Sequence, residues 1–162
     1  MAGTQRELTF RFLAEPTDVN FGGKVHGGAV MKWIDQAGYA CAAGWAGSYC
    51  VTVYVGGIQF ERPIQVGQIV EVRAQLVHTG STSMHVAVDV AARDTTAEQA
   101  ERTTHCLMVF VAVDAERKPT AVPAYVPRSD EELELAAYAQ RMMTMRKSLE
   151  AERRTFLARF HG

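Results

Sequence analysis

The stretch PTDVNFGGKVHGGAVMKWIDQAG (residues 16–38) decides how the rest of the chain is read. Its first half is turn chemistry. Pro16 fixes φ, Asp18 and Asn20 offer short polar side chains to nearby backbone, and Gly22 and Gly23 permit positive φ, so residues 15–23 form a loop. The second half changes period. From Gly28 to about Trp45, the apolar residues Val30, Trp33, Ile34, Ala37 and Cys41 recur at helical spacing, with Lys32, Gln36 and Tyr39 on the opposite side. The segment predicts a helix starting near Gly27, rich in Ala and Gly. Small residues let neighbouring backbone come close, so a helix this apolar and slender belongs inside a wrapping sheet rather than on a surface.

Outward from this segment the pattern is that of strands. Residues 7–13 read as a short strand before the loop, and four longer strand-like stretches follow at 51–61, 68–78, 83–93 and 102–113. Val70, Val72, Ala74 and Leu76 alternate with Glu71, Arg73 and Gln75, the period of two expected of a strand with one wet face, and Met84, Val86, Val88 and Val90 repeat it. Residues 106–113 are apolar on both faces, as a central strand requires, and Gly56-Gly57 predicts a bulge or a close backbone approach. The connections at 63–67 and 79–82 are of hairpin size. After Pro127 a helix opens with Ser129 and Glu132 at capping-box spacing and ends on Lys147, Arg153 and Arg154. Its stripe Leu135, Tyr138, Met142, Met145 and Leu149 suits core packing better than a dedicated partner site. The prediction is an α+β chain in two parts, residues 1–127 and a helical extension 128–162.

Composition narrows the function classes. In a chain of 162 residues with 48% apolar and 22% charged content, one compact core is expected. Seventeen basic residues against eighteen acidic ones give a net charge of -1, which supplies no field to draw the chain to nucleic acid or a membrane. Cys41, Cys50 and Cys106 form no CxxC or metal-type spacing, and their odd number suits a reducing compartment. The N-terminus lacks a signal-peptide pattern and no apolar run approaches the roughly 20 residues of a membrane helix. A cytoplasmic location is the expectation. No GxSxG, Walker, GxGxxG or HExxH pattern occurs, and His78, His85, His105 and His161 show no ligand spacing, so neither a metal nor another cofactor is expected.

The residues that can carry chemistry lie where the loop meets the helix. A helix start presents unpaired N–H groups with partial positive charge, and at Gly27-Gly28 no side chain would block a ligand's approach. That pair reads either as an oxyanion hole or as a tight turn. Asp35 borders the apolar face beside Ile34 and Met31, where a carboxylate held out of water is the stronger base or nucleophile. The plainer alternative is a solvated helix flank. Asn20 is either a turn residue or an amide that positions water or polarises a carbonyl.

Taken in order, PTDVN (16–20), VHGGAVMKWIDQAG (25–38), VTVYVGGIQFERPIQVG (51–67), VEVRAQLVHTGSTSMHVAV (70–88) and MVFVAVD (108–114) resemble the hot-dog acyl-CoA hydrolases, the cytosolic brain-type enzymes and their bacterial single-domain relatives. The resemblance implies a long central helix wrapped by a curved antiparallel sheet, dimers commonly gathered as trimers of dimers, and active sites between subunits. It implies an acyl-CoA substrate and matches Asp35 to the base or nucleophile, Asn20 to the facing amide and Gly28 to the helix-start N–H that binds the carbonyl. His26 then stands as a pocket wall beside Gly27, and the turn Gly80, Ser81, Thr82 and Ser83, with Arg117 and Lys118, is similar to the region that meets the nucleotide part of coenzyme A. Relatives often carry an acidic residue where this chain has Gly56. Three alternatives remain at this stage: a phenylacetate-type aryl-CoA thioesterase, a hot-dog hydratase, and an acyl-CoA-binding module without turnover. The first fits FERPIQVG and the C-terminal helix less well, the second lacks its Asp/His loop in DVNFGGKVH, and the third would have no use for Asp35 and Asn20.

Overall fold

The structure is a computed structural model and describes residues 1–160; His161 lies outside them. Five strands and two helices follow in order: β1 (Glu7–Leu13), α1 (Gly27–Ala46), β2 (Cys50–Gly56), β3 (Ile69–Thr79), β4 (Ser83–Arg93), β5 (Glu101–Ala112) and α2 (Asp130–Phe160). The strands make one sheet in the order β1-β3-β4-β5-β2, antiparallel at every pairing. Thus β1 and β2 are its edges. The chain divides into two compact units, Met1–Tyr125 and Val126–Gly162.

The alternation read from the sequence sorts the sheet's faces. Val70, Val72, Ala74 and Leu76 of β3 and Val86, Val88 and Val90 of β4 are fully buried in the core around α1. Each such side chain stabilises the fold by roughly 1.5–3 kcal/mol relative to exposure. On the other face of β1 and β3, Arg11 pairs with Glu71 and Arg73 with Glu7. In β5 both faces are buried, as Leu107 and Val109 alternate with Met108 and Phe110.

Helix α1 touches all five strands. It sits close because its inner face is small: Ala37, Cys41 and Ala42 are fully buried, and a Cβ on Gly38 would lie 2.9 Å from Met108 Sδ and 3.0 Å from the Phe110 ring. The helix stops at Gly47, whose φ of 69° is left-handed and whose N–H donates to the Ala43 carbonyl. Trp45 adds an anchor by donating its indole N–H to the Pro123 carbonyl at 2.9 Å. This is the central helix held against an antiparallel sheet that the resemblance implied.

Several expectations need correction. The strand read at 51–61 ends at Gly56, because Gly57 takes a φ of 70° and turns the chain. Residues beyond it stay beside β5 through single bonds, Glu61 N–H to the Thr103 carbonyl and Thr104 Oγ1 to the Gln59 carbonyl. Of the bulge or close approach expected at Gly56-Gly57, the register shift falls between Thr52 and Tyr54, and at Gly56 the Tyr54 phenol lies where a Cβ would be. In the unit Val126–Gly162, the Ser129 hydroxyl accepts the Glu132 N–H, and the Glu132 carboxylate accepts the Arg128 N–H rather than that of Ser129. The stripe on α2 is half-buried at Leu135, Tyr138 and Met142 but exposed at Met145 and Leu149, so core packing does not account for its second half.

Candidate active site

The loop ahead of α1 is fixed by its own backbone. Val19 and Val25 form an isolated antiparallel bridge, and between them the Asn20 N–H donates to the Lys24 carbonyl at 2.7 Å. Asn20 Oδ1 accepts two bonds, from Gly22 N–H at 2.9 Å and Lys24 N–H at 3.2 Å. Two N–H donors converging on one atom identify it as the oxygen. Asn20 is therefore a turn residue and an oriented amide at once, with its Nδ2 protons bonded to no protein group among the described residues.

His26 caps α1. Its Nδ1 accepts the Gly28 N–H at 2.9 Å, which requires Nδ1 to be unprotonated and leaves the ring proton on Nε2. The expectation that the Gly28 N–H stands open for a ligand is corrected here, since the imidazole before the two glycines reaches that N–H as a capping side chain does. Gly27, at the first helical position, has an N–H that no intrahelical bond can use. That N–H is the open donor.

Asn20 and Gly27 meet on one cavity of about 380 Å³, whose lining also includes Lys24, Val30, Phe60 and Arg62. Asp35 is not among its lining residues. It is exposed in the single chain, where its Oδ1 accepts the Thr52 hydroxyl at 2.8 Å. Of the two readings, the solvated flank is the one the single chain shows: Ile34 is buried against the sheet, whereas Asp35 lies beside β2, the edge at which the sheet ends. Met31 and Tyr39, one turn away from Asp35 on α1, and Val53 and Val55, on β2 with Thr52, are each more than a third exposed. Thr52 is the partner of Asp35 that the sequence reading passed over. A hydroxyl in VTV carries no local signal, because its pairing with Asp35 exists only once β2 lies beside α1.

The other residues singled out form a separate neighbourhood. The β3–β4 turn is closed by Gly80 N–H to the Ser83 carbonyl, while the Ser81 carbonyl accepts Val122 N–H and the Thr82 carbonyl accepts Ala112 N–H. The segment after β5 is thereby tied to this turn. Arg117 sits there with a φ of 61°, and Asp114 Oδ1 accepts the N–H groups of Glu116 and Lys118. The Arg117 and Lys118 side chains are exposed. Of the histidines, His78 and His85 pack edge to face at 5.2 Å and His105 Nδ1 lies 2.9 Å from Asp89 Oδ1. Among the described residues no group of three His, Cys, Asp or Glu side chains is placed to hold a metal ion. Burial pushes the Cys41 and Cys106 thiols up to about 12 and Cys50 to about 11, so none is a ready nucleophile near neutral pH.

Comparison with known proteins agrees with this geometry. The model of the thioesterase superfamily matches residues 22–98. The acyl-CoA thioester hydrolase YciA of Escherichia coli is 38% identical over 122 residues, 74% of this chain and 92% of that protein. The acyl-CoA hydrolase of Staphylococcus aureus, solved in complex with butyryl coenzyme A, coenzyme A and coenzyme A disulfide, is 25% identical with a TM-score of 0.90 over 100% of this chain and 99% of that one. That hydrolase has also been solved as three variants, each replacing one asparagine, one aspartate or one threonine by alanine, at positions 15 and 17 residues apart. The hexameric thioesterase y2039 of Yersinia pestis is 34% identical with a TM-score of 0.68, over 74% of this chain and 97% of that one. With its central helix held against a five-stranded antiparallel sheet and with relatives matched over nearly their whole length, this chain belongs to the thioesterase superfamily, among the hot-dog acyl-CoA thioester hydrolases.

Proposed function

We propose that this chain hydrolyses acyl-CoA thioesters to a carboxylic acid and coenzyme A, at sites that two copies of the chain complete together. The observation that carries the reading is the division of the site within one chain. Asn20 and Gly27 line one cavity, while Asp35 and Thr52 form a bonded pair outside its lining. The spacing Asn20, Asp35, Thr52 is the same 15 and 17 residues that separates the three replaced positions of the Staphylococcus hydrolase. An isologous pair would bring Asp35 of each copy to Asn20 of the other, making two equivalent sites. The exposed Met31 and Tyr39 of α1 and Val53 and Val55 of β2, with the edge of β2, would supply a surface for that pairing. Three such pairs would make a hexamer of the kind named for the Yersinia thioesterase.

The chemistry follows from charge development. Attack on the thioester carbon places negative charge on the carbonyl oxygen, which the Gly27 N–H and Asn20 Nδ2 would receive in fixed positions. Thr52 holds Asp35 Oδ1, leaving Oδ2 to take a proton from attacking water or to attack itself. When water attacks, the C–S bond breaks and the proton taken by Asp35 passes to the departing coenzyme A sulfur; when Asp35 attacks, the C–S bond breaks to an aspartyl anhydride and a thiolate, and water then opens the anhydride, restoring the carboxylate and giving the thiolate a proton. Water is the only other reactant, and the reading draws on no metal or redox group. Gly80, Ser81, Thr82, Ser83, Arg117 and Lys118 would meet the nucleotide end, where N–H and hydroxyl donors and two cations suit phosphates. A cytoplasmic location, in keeping with three unpaired thiols, is part of the same proposal.

Mixing tests the shared site. Asp35→Ala and Asn20→Ala proteins, each inactive in thiol release from acyl-CoA, should regain activity when unfolded together and reassembled. Reassembled mixed oligomers that stay inactive would refute the cross-copy arrangement.

A further inference from the structure

The cavity shared by Asn20 and Gly27 carries a charge that hydrolysis of a thioester does not use. Its lining includes two cations, Lys24 and Arg62, and no carboxylic acid. The Arg62 guanidinium is paired with Glu101, so its charge is already answered. Lys24 is different. It is half-buried and has no ion pair among the described residues. Its backbone is bonded to Asn20 through both its N–H and its carbonyl, so the base of the Lys24 side chain and the Asn20 amide are held in one hairpin. Of the remaining walls, Val25, Val30, Phe60, Pro63 and Ile64 are apolar, and the hydroxyl of Thr103 is donated to the Val90 carbonyl. At about 380 Å³ the cavity is at the small end of ligand pockets, which run roughly 300–1,000 Å³, so it takes one arm of an acyl-CoA rather than the whole molecule.

A half-buried lysine with no ion pair among the described residues, on the lining of a cavity without an acid, is placed to pair with an anion that enters it. We infer that Lys24 holds an anionic group of the substrate and so selects which thioesters this enzyme turns over. The inference rests on the thioesterase reading above. Two parts of an acyl-CoA carry that chemistry: a phosphate of the coenzyme, or a carboxylate at the far end of a dicarboxylic acyl group. The position of Lys24 within one loop of the donors that receive the carbonyl oxygen makes this residue a determinant of specificity as well as of affinity.

Thiol release from butyryl-CoA, butyryl-pantetheine and succinyl-CoA tests this with the wild-type protein, Lys24→Ala and Lys24→Arg. Removing one charge-assisted contact should lower kcat/KM by about tenfold or more, mainly through KM, with Lys24→Arg restoring most of it. A loss on both CoA thioesters that spares butyryl-pantetheine identifies the phosphate, and a loss confined to succinyl-CoA identifies the acyl carboxylate. Either outcome upholds the inference. Lys24→Ala within about twofold of wild type on all three, or lowered alike on all three, overturns it while leaving the thioesterase reading intact. A wild-type protein inert toward all three overturns both.

Discussion

Thr52→Val isolates what the hydroxyl does for Asp35. Valine keeps the β-branched shape and strand preference of threonine and replaces only Oγ1 with a methyl group, so the pairing of Thr52 with Phe110 across β2 and β5 is untouched. The bond removed is 2.8 Å long and ends on a carboxylate oxygen. Hydrogen bonds to charged groups contribute about 1.5–3 kcal/mol, but both partners are exposed in the single chain, and solvent reduces the stability effect to below about 1 kcal/mol. In a substrate-filled, closed site the same bond fixes the orientation of Oδ2 without that screening. A loss of 1.5–3 kcal/mol in the transition state corresponds to a kcat lower by about tenfold to a hundredfold, with KM little changed. Steady-state thiol release with butyryl-CoA reads kcat and KM, thermal unfolding reads stability, and Thr52→Ser should restore most of the rate. A Thr52→Val kcat within about twofold of wild type, measured beside an inactive Asp35→Asn protein, would refute the orienting role.

Gly38→Val should lower stability by about 2–3 kcal/mol, because its Cβ alone would meet Met108 and Phe110 at 2.9–3.0 Å and both are fully buried with nowhere to move. Urea unfolding checks this, and an unchanged midpoint would mean that α1 does not press on β5. The buried thiols predict alkaline weakening. Their pKa values are raised from 9.0 to about 12, 11 and 12, so above pH 9.0 the unfolded chain releases protons that the folded chain keeps. Stability then falls as pH rises, by up to about 1.4 kcal/mol per pH unit for each thiol, with nothing lost below that range. Cys41→Ala should show a shallower slope than wild type between about pH 9 and pH 11, and equal slopes would count against the shift.

How far the sequence is legible depends on the range of the interaction that each feature needs. Strands β1 and β4 keep the bounds read from their alternation, and α1 starts at Gly27 as its spacing implies. These elements are set by periods of two and 3.6, which each segment carries locally. Asn20 and Gly27 are local as well, since a turn and a helix start are properties of a few consecutive residues. The errors arise where a local motif has two uses. VYVGG reads as continuous strand until Gly57 adopts positive φ, and Gly27-Gly28 offers two open N–H groups until His26 takes one.

The central helix and the antiparallel strands were legible in the sequence because periodicity and turn chemistry act within a few residues, and the family was legible in the resemblance of its ordered motifs. Only the tertiary structure decided that Thr52 meets Asp35, that the open helix-start donor belongs to Gly27, and that Lys24 shares its cavity. Those contacts join residues from separate elements, and their geometry exists only after the strands have paired around α1. The exposure of Asp35 is likewise a property of the sheet ending at β2, which no residue near position 35 encodes.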